Sequence, residues 1–177
     1  MTNMFLTGET IYLRPLVPQD ANDNYVSWLN DGGVCEFNSH HTFPYTTEMA
    51  RQYIAQITGS KTEVVLAVID KQSDSHIGNV ALQNISWINR SAEFAILIGN
   101  SAFHGKGVGE EAGGLLIAHG FGALNLHRIH CGTSADNVAM QKLAEKLGMS
   151  EEGRRRDAMY KNGAYADVIE YGLVREA

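Results

Sequence analysis

The residues that first suggest chemistry are Gly105-Lys106-Gly107-Val108-Gly109, set between an apolar run, Ala92 to Gly99, and a helical pattern that carries Ala112, Leu115, Leu116, Ile117 and Phe121. A glycine-rich turn that becomes a helix N-terminus presents unpaired main-chain N–H groups and the positive end of the helix dipole. Missing side chains let an anion come close to that backbone. A diphosphate suits such a cradle, with Lys106 adding charge; the glycines taken alone also suit a plain tight turn. The pattern is not a P-loop, because no second glycine is followed by Lys and Ser/Thr, so the lysine and magnesium-binding hydroxyl of nucleotide hydrolysis are missing. Nor is it a dinucleotide fingerprint. G-x-G-x-x-G counted from Gly105 demands glycine where Glu110 stands, and the turn follows three strands instead of opening a βαβ unit.

Other reactive side chains give less. His40 and His41 are adjacent, so on an extended chain they face opposite ways, and His127 and His130 diverge on a strand; no joint metal ligation is expected. Cys35 and Cys131 lack the spacing of a zinc knuckle or a disulfide framework and are expected as free thiols. Arg154-Arg155-Arg156 is too short for a nucleic-acid arm and reads as a solvated strand face.

The elements that must position the turn can be read along the chain. Thr10 to Leu13 is a short strand ended by Pro15, and Pro18 opens a helix through Tyr25, Trp28 and Leu29 that Asp31-Gly32-Gly33 stops. A second helix is capped by Thr46 or Thr47 and shows an apolar face at Met49, Tyr53, Ile54 and Ile57. Strands follow over 63–69, 77–87 and 92–99, the simplest pairing being antiparallel. After the glycine turn and its helix, a strand starts near His127. Asn137 to Leu147 is an amphipathic helix closed by Gly148, and two strands joined by Asn162-Gly163 complete the chain. The expectation is an α/β (α+β) fold: one domain over residues 1–177, with a mixed, mostly antiparallel sheet of about seven strands and about four helices.

Size and charge agree with that. The chain has 177 residues, 44% hydrophobic and 19% charged, the profile of one folded domain with its own core. A net charge of -6 argues against general nucleic-acid affinity and mildly suits a cationic partner. No apolar run approaches the ~20 residues of a bilayer span, and the first ten residues lack a signal-peptide pattern, so no membrane partner and a cytoplasmic location are expected.

Taken in order, several landmarks resemble the GNAT superfamily of acyl-CoA-dependent N-acetyltransferases, and within it the ribosomal-protein-alanine (RimJ/RimL-like) branch. They are Trp28-Leu29-Asn30-Asp31, the strand Glu93 to Ile98 with His104-Gly105-Lys106-Gly107-Val108-Gly109, then Leu126-His127-Arg128-Ile129. Asn137 with Leu143 to Met149, Glu152-Gly153-Arg154 and the Asn162-Gly163 hairpin continue the series. The family turn is (Gln/Arg)-x-x-Gly-x-(Gly/Ala); Gly107 and Gly109 match, and His104 departs from its first place.

The resemblance implies acetyl-CoA as co-substrate, with its diphosphate on the N–H groups of Gly105 to Glu110 and its pantetheine amides paired to the backbone of Ile96, Leu97 and Ile98. Asn137 then both caps its helix and bonds the cofactor arm. The acceptor is an amine that must attack unprotonated, so a proton sink is needed, and Glu93 is the candidate, directly or through a water. Family members often place a tyrosine seven residues, or a serine three residues, after the asparagine to protonate the leaving thiolate. Here those positions are Ala144 and Met140. Ser134, Tyr160 or no group at all remain for that step, and a non-catalytic acyl-CoA-binding sensor remains as the alternative function. Trp28, Phe37, His40 and His41 fall where the family shapes its acceptor site. An exposed strand edge near the C-terminal hairpin would permit a homodimer.

Overall fold

The computed structural model describes residues 3–176. Its strands are Leu6–Thr7 (β1), Ile11–Pro15 (β2), Val64–Asp70 (β3), His76–Ser86 (β4), Ser91–Ile98 (β5), Arg128–Ser134 (β6), Ser150–Lys161 (β7) and Ala164–Val174 (β8). They form one sheet in the order β1-β2-β3-β4-β5-β6-β8-β7. That is one strand more than the sequence pattern suggests. The two residues of β1, paired to Tyr12 and Leu13, are too few to leave a periodic trace.

Alternation along the strands sorts side chains to two sides. Ile11, Leu13, Leu66, Val68 and Phe94 join a core cluster with Leu116, Ile117 and Ala144 of helices Val108–Gly122 (α3) and Val138–Lys146 (α4). Tyr12, Ala67 and Ile69 join a second cluster with Tyr25, Trp28 and Ile54 of helices Asp23–Asn30 (α1) and Thr47–Ile57 (α2). The sheet is thus covered by helices on both faces. On α2, Tyr53, Ile54 and Ile57 face the second cluster as expected, but Met49, counted on the same stripe, stands 42% exposed outside both clusters.

Local chemistry explains most boundaries. Thr46, Asn137 and Asn22 cap α2, α4 and α1 by accepting from Met49 N, Met140 N and Tyr25 N. Pro18 does not open α1. It starts a separate 3-10 turn, Pro18–Asp20, and α1 begins only after its own Asn22 cap. At the C-terminus Asn162 and Gly163 both take positive φ, +52° and +84°, the conformation that a two-residue hairpin turn needs. Both cysteines are buried and free. Arg154 and Arg155 stand on the exposed strand β7, yet they pair with Asp167 and Glu170 of β8 and are not simply solvated.

One irregularity shapes everything that follows. β5 and β6 are parallel neighbours only over Ser91–Glu93 and Arg128–His130. Beyond that, β5 stays with β4 as far as Ile98, and β6 stays with β8 as far as Ser134. The two strands therefore splay apart, and from Phe94 onward β5 has an edge facing no strand.

Candidate active site

The turn after β5 gathers open main-chain donors, a shape suited to an anion. Asn100 caps a short 3-10 turn, Ser101–Phe103, by accepting from Ala102 N. Gly105 and Gly107 then take φ of +72° and +80°, which only glycine adopts freely, and Gly107 becomes the N-cap of α3. Among the described residues none of the six N–H groups from Gly105 to Glu110 has an acceptor, the first satisfied donor being Glu111 N on Gly107 O. The side chains of this stretch leave the donors open. Lys106 Nζ lies 5.5 Å from the Phe103 ring centroid, and Lys146 pairs with the Glu110 carboxylate at 3.0 Å, offsetting a charge that would repel an anion. His104, where the family has Gln or Arg, turns back so that its Nε2 lies 2.7 Å from Ile98 O, tying the turn to the end of β5.

The open edge of β5 leads from this cradle to Glu93, which stands at the fork with His130 beside it on β6. Ile96 and Ile98 pack toward the α3 and α4 side and Leu97 toward the α1 and α2 side. Main-chain groups of successive strand residues face opposite edges. Gly99 N bonds Ile77 O, and Arg90 O on the β6 side accepts from His127 N and Arg128 N, so Ile96 and Ile98 turn their backbone to the opening, with Ile98 O already held by His104, while Leu97 spends its own on β4 opposite Asn79. Asn84 Nδ2 donates to Glu93 at 2.8 Å. Asn137, at the far side of the splay, has its Oδ1 engaged in capping.

On the α1 and α2 face the fork opens into a groove of two adjoining cavities, of about 710 and 560 Å³, and Glu93 lines both. Phe37 and His40, from the segment between α1 and α2, line the larger one. Burial pushes the His40 imidazole toward its neutral form, and Lys161 Nζ holds the His40 carbonyl at 2.5 Å, closing the C-terminal hairpin onto this segment. His41 and Trp28 line neither cavity; Trp28 is 4% exposed, wedged against Gly99 and edge-on to His76. Of the two candidate acids, Tyr160 lines the smaller cavity beside Glu93. Ser134 is 2% exposed, with its oxygens taken by Asp136 N, Asn137 N and Gln141 Nε2. The sequence reasoning passed over Tyr25, Tyr45, Tyr53 and Glu63, which all line the larger cavity. Tyr53 lies on the helix face counted as core, and Glu63 shares the parity of Val65; that parity was the one available signal.

A splayed parallel pair, an open strand edge and an unpartnered helix N-terminus follow one another in sequence, an arrangement whose shape and donors suit a long phosphorylated carrier beside a groove. The acetyltransferase (GNAT) domain family matches residues 10–150, and the chain belongs to that family. It is an acyltransferase that uses acetyl-CoA as co-substrate to acetylate an amine. Over 98 residues, about half of each chain (55% and 53%), it is 34% identical to Bacillus subtilis YdaF, named as a ribosomal N-acetyltransferase. Over 92% of this chain and 85% of the relative it is 27% identical to the spermidine N(1)-acetyltransferase of Escherichia coli. A crystal structure of the Vibrio cholerae spermidine N-acetyltransferase with CoA and spermine superposes with a TM-score of 0.84 at 27% identity, covering 93% and 95% of the two chains. The non-catalytic sensor is not favoured by these relatives. Among the described residues no helix is long and apolar enough to cross a membrane.

Proposed function

We propose that the protein acetylates a primary amine by direct attack on acetyl-CoA, with Glu93 taking the amine's proton. The observation that carries this reading is the place of Glu93. It stands where β5 leaves β6, at the inner end of the edge that suits the pantetheine amides, and it lines both cavities of the acceptor groove. A protonated amine has no lone pair to attack with, so a carboxylate at that junction, directly or through one water, supplies the missing step. Main-chain N–H groups on the open edge of β5 then polarise the thioester carbonyl and hold the oxyanion of the tetrahedral intermediate, each well-placed donor being worth about 3 kcal/mol. The diphosphate rests on residues 105 to 110, with Lys106 close by, and Asn137 reaches the carrier arm from the opposite side of the splay.

For the leaving thiolate, Tyr160 is the proton donor that the groove supports, since Ser134 is 2% exposed and lines neither cavity. Phe37 and His40 form part of the acceptor wall. The acceptor is a protein N-terminus or a small-molecule amine, as the relatives' names suggest, and the reading includes a cytoplasmic location and a homodimer formed through the C-terminal hairpin.

Glu93→Gln tests the central step. Turnover should fall by about 100-fold or more, in the usual range for losing a general base, while the Kd for CoA stays within about twofold. Loss should be steepest at low pH, where fewer amines arrive already neutral. A variant with near-normal kcat and an unchanged pH–rate profile removes Glu93 from the mechanism.

A further inference from the structure

The groove floor carries three carboxylates, and their surroundings differ. Gln83 of β4 stands opposite Glu93 of β5. Carrying the β3–β4 register one place beyond the Val64 and Leu82 pair sets Glu63 opposite Gln83. All three line the larger cavity, as do Val65, Ala81 and Ala95 two residues along on the same strands, so they form a row across one face of the sheet. Glu170 of β8 lies on the other side of Glu93, in the smaller cavity, where Arg155 Nε neutralises it at 2.5 Å.

Glu63 has no such partner. Among the described residues it makes no hydrogen bond or ion pair, and no Lys or Arg lines the larger cavity. Its neighbour there is Tyr53, whose phenol is pushed up to about 12 by burial, with the Glu63 charge adding to the shift. A half-buried carboxylate without a counter-charge, in a cavity open to a substrate, is satisfied by a cation that the substrate brings. The reacting nitrogen cannot be that cation, because it must be neutral when it attacks at Glu93.

Spacing sets the kind of substrate. Two strand separations of ~4.8 Å put Glu63 roughly 10 Å from Glu93. An ammonium sits about 2.8 Å from a carboxylate oxygen, so with one nitrogen at each carboxylate the two nitrogens lie roughly 4–5 Å apart, the reach of three or four methylenes. The Tyr53 ring offers those methylenes an apolar wall and the ammonium a cation–π contact.

We infer that Glu63 is the specificity-determining residue of the acceptor groove: it pairs with the second ammonium of a short-spacer diamine or polyamine whose first amine is acetylated at Glu93. This rests on the acetyl-transfer reading above. Because Arg155 already answers Glu170, the second charge is placed on the β3 side of Glu93 and not on the β8 side.

Two measurements on the full chain separate the anchor from the chemistry. Calorimetry of diaminopropane and propylamine binding to the CoA-loaded protein reads the anchor alone. The diamine should bind about 10-fold tighter or better, and Glu63→Gln should erase the difference. Glu63→Asp should keep part of it, which guards against a variant that is merely misfolded. In turnover, Glu63→Gln should raise KM for the diamine about 10-fold with kcat within about twofold, and leave propylamine unchanged. Equal binding of the two amines by the native protein, or an unchanged preference in a well-folded Glu63→Gln variant, overturns the anchor. Glu63-dependent diamine binding without acetylated product would instead defeat the transfer reading while the anchor stands.

Discussion

Replacing Gly107 by Ala isolates backbone conformation from bulk. A Cβ placed on Gly107 meets nothing within 4 Å, so the substitution creates no clash. What it does disturb is φ, which is +80° at this N-cap and which an L-residue holds only at a cost of about 1–2 kcal/mol. If the turn keeps its shape, the fold carries that strain. In a chain of this size each kcal/mol moves Tm by about 2–4 °C, so a drop of roughly 2–8 °C is expected. If the turn relaxes instead, Tm is spared but the N–H groups of residues 105 to 110 lose their common focus. The same energy then appears as a roughly 5- to 30-fold weaker Kd for CoA. Thermal melts followed by circular dichroism, with calorimetric titration of CoA, read both channels on one sample. Gly107→Asn should recover part of the loss, since asparagine tolerates the left-handed region better than alanine. An alanine variant with unchanged Tm and unchanged CoA affinity would refute the cradle as described.

Asp20, with its side chain 6% exposed, accepts two bonds from Arg14 at 2.7 Å and one from Val17 N at 2.8 Å. Burial opposes its charge, but these bonds outweigh burial and hold the carboxyl below its usual range. Asp20→Asn should therefore cost about 3–5 kcal/mol near neutral pH, as expected for a broken buried pair. A lowered folded pKa means that the native advantage is complete above the unfolded value near ~3.9 and is lost as pH falls through the folded value. Urea melts of both proteins from neutral to strongly acid pH check this, and a gap that persists at the acid end contradicts it. At Gly99 a Cβ would lie 2.0 Å from the Trp28 ring, so Gly99→Ala should destabilise by about 1–3 kcal/mol or more, with Trp28→Leu restoring part of the loss. An unchanged Tm in the single variant would show that the indole is not wedged there.

Wherever a few neighbouring residues dictate the backbone, this chain announces its structure in its sequence. Asn162-Gly163 specifies its turn because both positions need positive φ; Thr46 and Asn137 mark their helices because a side-chain oxygen caps the next turn; Gly105 and Gly107 mark the cradle because only they adopt its dihedrals without strain. The position of Glu93 on β5 is likewise legible, because that strand leads directly into the turn. Tertiary structure alone decided the rest. The splay of β5 from β6 depends on strands 37 residues apart in register, Ser91 with Arg128, and no local spacing encodes where such a pair stops. The same holds for Trp28, an aromatic in a promising position that packing drew beneath Gly99, and for Ser134, which packing buried away from both cavities. Glu63 became part of a row with Gln83 and Glu93 only when β3, β4 and β5 aligned. Local dihedral preference acts over a few residues and can be read from them. Which side chains share a groove is set by the register between distant strands, and that emerges only when the whole core is packed.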